Sequence, residues 1–260
     1  MTNPHGTPIW YELQATDPDA AKAFYEPVVG WTVGAATPDA FMDYRMIDTG
    51  DGQVGGLAGH VEGQIPPSMR PGWKVYFGVD DVDAAAAEIA AAGGTVHVEP
   101  FDLEGVGRMA FCADPQSNPF YIMRGASEGE TSTAFAPTGL GKCSWNELVT
   151  ADQAAGHAFY ARVFGWKYPD SMPMPGMGDY VFVEAGGETI GATMNRAGDM
   201  PTGWQFYFRV PDIEAAAETF REKGGTLFMG PMDVPGGDRI IFGADPAGTP
   251  VGMVGLGAAQ

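Results

Sequence analysis

Apolar and polar residues alternate through PIWYELQAT, residues 8–16. That is the two-residue period of a strand with one buried face. At Asp17-Pro18 the period changes: an acidic cap, a proline in the first turn, then Ala20, Ala21, Ala23 and Phe24 at helical spacing up to Gly30. Strand-like runs follow in FMDYRMID (41–48) and QVGGLAGH (53–60). The same order restarts with WKVYFGV (73–79), a cap at Asp80 or Asp81, the helix DAAAAEIAAA and its stop at Gly93-Gly94. TVHVEP, GRMAFCADP and FYIMR complete it. The unit is strand, helix, three strands, and the pattern predicts four of them, at about 8–61, 73–124, 143–195 and 204–255.

The chain also repeats on a larger scale. FYEPVVGW at 24–31 returns as FYARVFGW at 159–166. A shift of 135 superposes Trp10 on Trp145, Glu12 on Glu147 and Asp17 on Asp152. A shift of 131 superposes Trp73 on Trp204, Tyr76 on Tyr207, Arg108 on Arg239, and one Ala-Asp-Pro (113–115) on the other (244–246). A period this long indicates a duplicated domain rather than a solenoid. Domains over 1–124 and 142–260 are expected, joined by a Gly/Ser/Thr-rich linker at 125–141. The fold class is α+β: each unit has a sheet with one helix-covered face, and pairing two units brings the open faces together around a funnel.

Charge and cysteine narrow the class. A formal charge of −19 disfavours nucleic acid and anionic membranes as partners. No apolar run is long enough to span a bilayer and no secretory signal is visible, so the expectation is a cytoplasmic monomer or homodimer. Cys112 and Cys143 lack the spacing of a zinc site or a disulfide framework and are expected as reduced packing residues.

The helix ending in Phe-Tyr, the following VxGW, and the closing segments ADPQSNPFYI and ADPAGTPVGM resemble the vicinal oxygen chelate superfamily, over nearly the whole chain. That group includes glyoxalase I, the bleomycin-resistance proteins and the extradiol dioxygenases. The resemblance implies two tandem glyoxalase-like domains, each a pair of βαβββ modules forming an incomplete barrel. It also implies, for metal-dependent members, a divalent ion held by His, Gln or Glu of first strands and Glu of last strands. Carried over by spacing, the first-strand positions fall on Trp10, Lys74, Trp145 and Gln205, and the last-strand positions on Gly56, Tyr121, Gly191 and Gly252. Gln205 alone is a plausible donor. A shift of two residues would bring in Glu12 and Glu147. The four histidines do not supply a two-histidine iron site: His5 lies in a start expected to fray, His157 on a helix, and His60 and His97 on different strands. No metal or other cofactor is expected.

Two readings of the repeated residues stay open. Trp10 with Glu12, and Trp145 with Glu147, share a strand face and could form a stacking platform with a polar anchor for a small organic molecule, or pack the core. Tyr76, Tyr207 and Tyr121 could line the same funnels or only pack the sheet. Arg108 and Arg239 point inward if Ala110 and Cys112 do, either to clamp a ligand or to neutralise Glu12 or Glu147. SMPMPGMG (171–178) could be a methionine-rich lid or a solvated loop; AATPDAFM (35–42) holds its place in the first copy. The leading expectation is a metal-free, bleomycin-resistance-like binding protein. The alternative is a glyoxalase-like lyase or isomerase with Glu12 or Glu147 as the proton-transfer base, with or without a metal.

Overall fold

The structure is a computed structural model, and it describes residues 3–38, 42–60, 69–127 and 129–257. Four modules follow one another. The first holds β1 (Pro8–Ala15), α1 (Pro18–Val29), β2 (Thr32–Val33), β3 (Tyr44–Asp48) and β4 (Gln53–Gly59). The second holds β5 (Gly72–Gly78), α2 (Val82–Ala91), β6 (Thr95–Leu103), β7 (Gly107–Ala113) and β8 (Pro119–Gly125). The third has β9 (Cys143–Thr150), α3 (Gln153–Phe164), β10 (Ser171–Met174), β11 (Gly178–Ala185) and β12 (Glu188–Asn195). The fourth has β13 (Gly203–Arg209), α4 (Ile213–Glu222), β14 (Thr226–Asp233), β15 (Arg239–Ala244) and β16 (Pro250–Gly255).

Local chemistry sets these boundaries. Each helix starts at an aspartate in extended conformation, Asp17, Asp81, Asp152 or Asp212, whose carboxylate accepts a backbone N–H from the first turn. The helices α1 and α3 end on Gly30 and Gly165 in the left-handed region, at φ 86° and 68°, where a side chain would be strained. Between Trp166 and β11 the structure departs from expectation. Ser171–Met174 is a strand that pairs antiparallel with Gly178–Ala185, so the methionine-rich segment is a hairpin and not a loop. Its counterpart in the first module includes residues 39–41, which lie outside the described residues.

The two eight-stranded sheets run β2-β3-β4-β1-β5-β8-β7-β6 and β10-β11-β12-β9-β13-β16-β15-β14. In packing, the chain divides into two compact units that regroup the modules. Unit 1 is Met1–Trp10, Lys74–Ser132 and Asn146–Trp204, which is the second module with the third. Unit 2 is Tyr11–Trp73, Thr133–Trp145 and Gln205–Gln260, which is the first with the fourth.

The repeated Phe-Tyr…Gly-Trp phrase builds the core of both. In unit 1 the Tyr160 hydroxyl, from α3, donates to Asp114 Oδ2 at 3.1 Å, and Trp166 stacks on the Tyr160 ring at 4.7 Å. In unit 2 the Tyr25 hydroxyl, from α1, donates to Asp245 Oδ2 at 3.0 Å, Trp31 stacks at 5.7 Å, and Trp73 Nε1 donates to the same hydroxyl. Burial, then the adjacent carboxylate, holds both phenols well above the usual tyrosine range, so they remain donors. Each Ala-Asp-Pro aspartate also closes its own turn: Asp114 accepts from Gln116 N and Asn118 N, and Asp245 from Ala247 N and Thr249 N. The phrase therefore appears twice because each unit ties a different pair of modules with one buried tyrosine–aspartate bond, the third to the second in unit 1 and the first to the fourth in unit 2.

Two sequence expectations are corrected here. The start of the chain is anchored in unit 1: His5 Nε2 lies 3.0 Å from the Val163 carbonyl, Trp166 Nε1 donates to Gly6 O, and Gly6 N donates to Gly78 O. Within 125–141, Gly125 still belongs to β8, Ser132 bonds Asn3 and Ile9 in unit 1, and Gly141 O accepts from Trp31 in unit 2. Cys112 and Cys143 are buried thiols outside any disulfide, each pushed up to about 12 chiefly by burial. No helix among the described residues is long and apolar enough to cross a membrane.

Candidate functional site

Each helix covers one sheet face, so alternation along a strand assigns the other face to candidate site residues. In the third module, within unit 1, Glu147 pairs in register with Ala192 of β12, and Ala192 with Phe182 of β11. Tyr180 stands two residues before Phe182, on the same face, and its hydroxyl donates to Glu147 Oε2 at 2.7 Å. This is the one described hydrogen bond to Glu147, a residue only 8% exposed. The register partner of Tyr180 on β10 is Met172, half-buried at the base of the hairpin. Burial holds the Glu147 carboxyl above its ordinary range, and the Tyr180 bond offsets part of that rise. An acid raised in this way stabilises the fold less as pH increases, because the unfolded chain ionises first; the penalty develops above the ordinary carboxylate range and is complete above the folded value. Glu147→Gln is therefore expected to raise the melting temperature at pH 8 and leave it nearly unchanged at pH 4, measured by calorimetry at both.

The second module contributes a different wall to unit 1. Tyr76 and Tyr121 pair in register and stack at 4.2 Å with rings 7° from parallel, and Phe111 lies 4.8 Å from Tyr121. Because Phe111 faces this wall, its neighbours Ala110 and Cys112 face the helix, and Arg108 with them. The Arg108 guanidinium forms ion pairs with Asp83 of α2 at 2.7 Å and Asp102 at 3.0 Å. Lys74 is buried two residues before Tyr76.

In unit 2 the first module places Glu12 beside Gly56 in register, with Gln14 Nε2 donating to Glu12 Oε1 at 3.1 Å. The Tyr44 phenol occupies the space a side chain at Gly56 would need, its oxygen 2.1 Å from the position of a Cβ. In the fourth module the Tyr207 ring lies on Gly252, 2.3 Å from where a Cβ would stand. Tyr207, Phe242 and Val254 form a buried cluster with Trp145 and Ile240 packed against it. Phe228, 62% exposed, continues the aromatic strip at 6.2 Å from Phe242. Gln205 is buried two residues before Tyr207. Arg239 turns to the helix side, paired with Glu214 of α4 and with Asp233.

The structure thus brings Glu147 to Tyr180, Tyr76 to Tyr121, and Trp145 to Tyr207, and it removes Arg108 and Arg239 from all three. Both arginines are held in ion pairs on the helix side, Arg108 with Asp83 and Arg239 with Glu214, because Ala110 and Cys112, whose face Arg108 shares, turn to the helix as well. The position level with Glu147 is Ala192, since Gly191 pairs with Asn146. Tyr180 was not singled out from the sequence. A shift of 136 superposes Tyr44 on Tyr180, and that one-residue insertion relative to the 135 register is the signal that locates it.

The positions where the resemblance implies metal ligands do not fit a divalent ion. Trp10, Trp145 and Lys74 supply no suitable donor, and tyrosine rings fill the space over Gly56 and Gly252. Among the described residues no group of three or more His, Cys, Asp or Glu side chains is placed to hold a metal.

Comparison with known proteins defines the class. A family model described as "Glyoxalase/Bleomycin resistance protein/Dioxygenase superfamily" matches residues 8–122 and again 140–253. The chain belongs to this superfamily, with two tandem glyoxalase domains. It is similar to "Putative glyoxylase CFP32" of Mycobacterium bovis, 33% identical over 245 residues that cover 94% of this chain and 92% of that one. It is also similar to the anthracycline biosynthesis protein DnrV of Streptomyces peucetius, 31% identical over 267 residues covering 96% and 94%. Among solved structures, the Mn(II)-bound glyoxalase from Novosphingobium aromaticivorans shares the fold with a TM-score of 0.65 at 21% identity, over 97% of this chain and 83% of that one.

Proposed function

We propose that this protein binds a small, flat organic molecule on its helix-free sheet faces without a resident divalent metal, and that Glu147 is the polar group that meets it. The observation that carries this reading is the Glu147 carboxyl itself, buried among apolar neighbours with Tyr180 as its one described partner. A buried acid without a cation is costly unless a ligand uses it. The stacked pair Tyr76 and Tyr121 with Phe111 beside it, in the same unit as Glu147, supports a flat ligand, since aromatic rings offer large contact area at low entropic cost. So does the similarity to proteins named for anthracycline biosynthesis, because an anthracycline is a fused planar ring system. Holding the molecule would be the activity, as in the bleomycin-resistance proteins, and the expected setting is the cytoplasm.

A second reading has its own support. A carboxyl raised above its ordinary range suits proton transfer near neutral pH, and one relative is named as a glyoxylase. In that reading Glu147, or Glu12, is the base of a lyase or isomerase.

Elemental analysis of protein purified without chelator, with thermal-shift titrations of Ni, Zn, Mn and Fe, tests the metal-free claim. No stoichiometric metal and no saturable stabilisation are expected, and one bound ion per domain defeats the reading. Glu147→Gln divides binding from catalysis: retained affinity with turnover reduced at least 100-fold, on the order of a general base's contribution, establishes the second reading.

A further inference from the structure

Glu147 offers two oxygens, and the structure uses one. The Tyr180 hydroxyl donates to Oε2 at 2.7 Å, while no described group is bonded to Oε1. A carboxylic acid that accepts at one oxygen presents its carbonyl there and carries its proton on the other. Among the described residues, burial raises the carboxyl and the Tyr180 bond offsets part of that rise, and no ion pair to Glu147 is formed. On β9 its same-face neighbours are Trp145 and Val149, and on β12 they are Ile190, Ala192 and Met194, none of them titratable. On β11, Glu184 is paired with Lys167 at 3.5 Å, and His157 of α3 bonds Thr193, on the opposite face.

We infer that Tyr180 is the positioning residue of this site: by occupying Oε2 it turns Oε1–H of Glu147 towards the ligand as a hydrogen-bond donor, so that the site selects a molecule carrying a carbonyl oxygen. The inference rests on the proposed binding role of Glu147 and adds to it the direction of the hydrogen bond and the ligand group it recognises. It also separates the two repeated glutamates. Glu12 accepts from Gln14 Nε2 at Oε1, whereas the residue two places after Glu147 is Val149, which donates nothing from its side chain.

The test uses the full-length protein with two probes of equal shape, 9-fluorenone and fluorene, which differ by one carbonyl, and reads affinity by tryptophan quenching. Wild type at pH 4, where a carboxyl raised above its ordinary range carries its proton, is expected to prefer fluorenone by roughly tenfold, the worth of one buried hydrogen bond. Glu147→Gln keeps the preference, because Tyr180 holds the amide oxygen and leaves the NH2 to the ligand, and in this variant the preference no longer depends on pH. Glu147→Leu abolishes it. Tyr180→Phe reduces it to about twofold or less. Equal preference in wild type and Tyr180→Phe overturns the inference. If neither probe binds, the flat-ligand reading fails, and Tyr180 is judged on the free protein by carbon-13 NMR of the Glu147 carboxyl. Tyr180→Phe is expected to move its titration upward, and an unchanged titration overturns the positioning role.

Discussion

Replacing Asp114 with alanine is expected to destabilise unit 1 by about 3–5 kcal/mol, the range for breaking a buried hydrogen-bond network. Asp114 is 1% exposed and accepts four bonds: Gln116 N and Asn118 N on Oδ1, both at 2.9 Å, and Asn118 Nδ2 and the Tyr160 hydroxyl on Oδ2, at 2.8 and 3.1 Å. Alanine strands the Asn118 amide and the Tyr160 phenol in the core together, and water cannot reach either. The turn after β7 loses its closure at the same time. Tyr160→Phe removes only one of the four donors and is expected to cost about 1 kcal/mol, because Asp114 keeps its three others. Urea unfolding followed by tryptophan fluorescence separates the two. The double variant should cost less than the sum, since one bond is counted in both singles. A cost for Asp114→Ala no larger than that of Tyr160→Phe would show that the turn, and not the tie between modules, has been overestimated.

That tie explains which parts of the protein were legible in the sequence. Element order was, because caps such as Asp17 and Asp152 and stops such as Gly30 and Gly165 act within a few residues of themselves. The partner of Tyr25, Asp245, lies 220 positions away, and periodicity carries no information at that range. The resemblance identified the family without saying that the repeated phrase serves packing. Arg108 shows a subtler failure. Its face was inferred from Ala110 and Cys112, small residues that fit either side of a sheet, while the bulky Phe111 between them takes the site side and packs on Tyr121. The parity of Phe111 points Arg108 towards α2 and Asp83, where it is. The prolines and glycines of 171–178 give a four-residue strand and its hairpin the composition of a loop. Tyr180 was hidden by one inserted residue. Aligning on Trp145 and Glu147 sets a shift of 135, and the tyrosine that reaches Glu147 repeats only at 136.

Gly191→Ala is expected to be as damaging as the loss of Asp114, again about 3–5 kcal/mol or a failure to fold, and for a reason that bears directly on the site. Gly191 lies opposite Asn146 where β12 runs parallel to β9, and a Cβ there would stand 1.8 Å from the Asn146 carbonyl oxygen and 2.9 Å from its nitrogen. These are backbone atoms and cannot rotate away. Relief requires β12 to separate from β9, which also breaks the bond from Asn146 Nδ2 to Ile190 O and carries Ala192 away from Glu147. Gly187→Ala is the matched control: its φ of 86° is just as foreign to alanine, yet nothing lies within 4 Å of its Cβ position. It should cost only the backbone strain, roughly 1 kcal/mol. If the two variants unfold at the same urea concentration, the close approach of β12 to β9 is wrong, and with it the register that sets Glu147 beside Ala192 and under the Tyr180 hydroxyl.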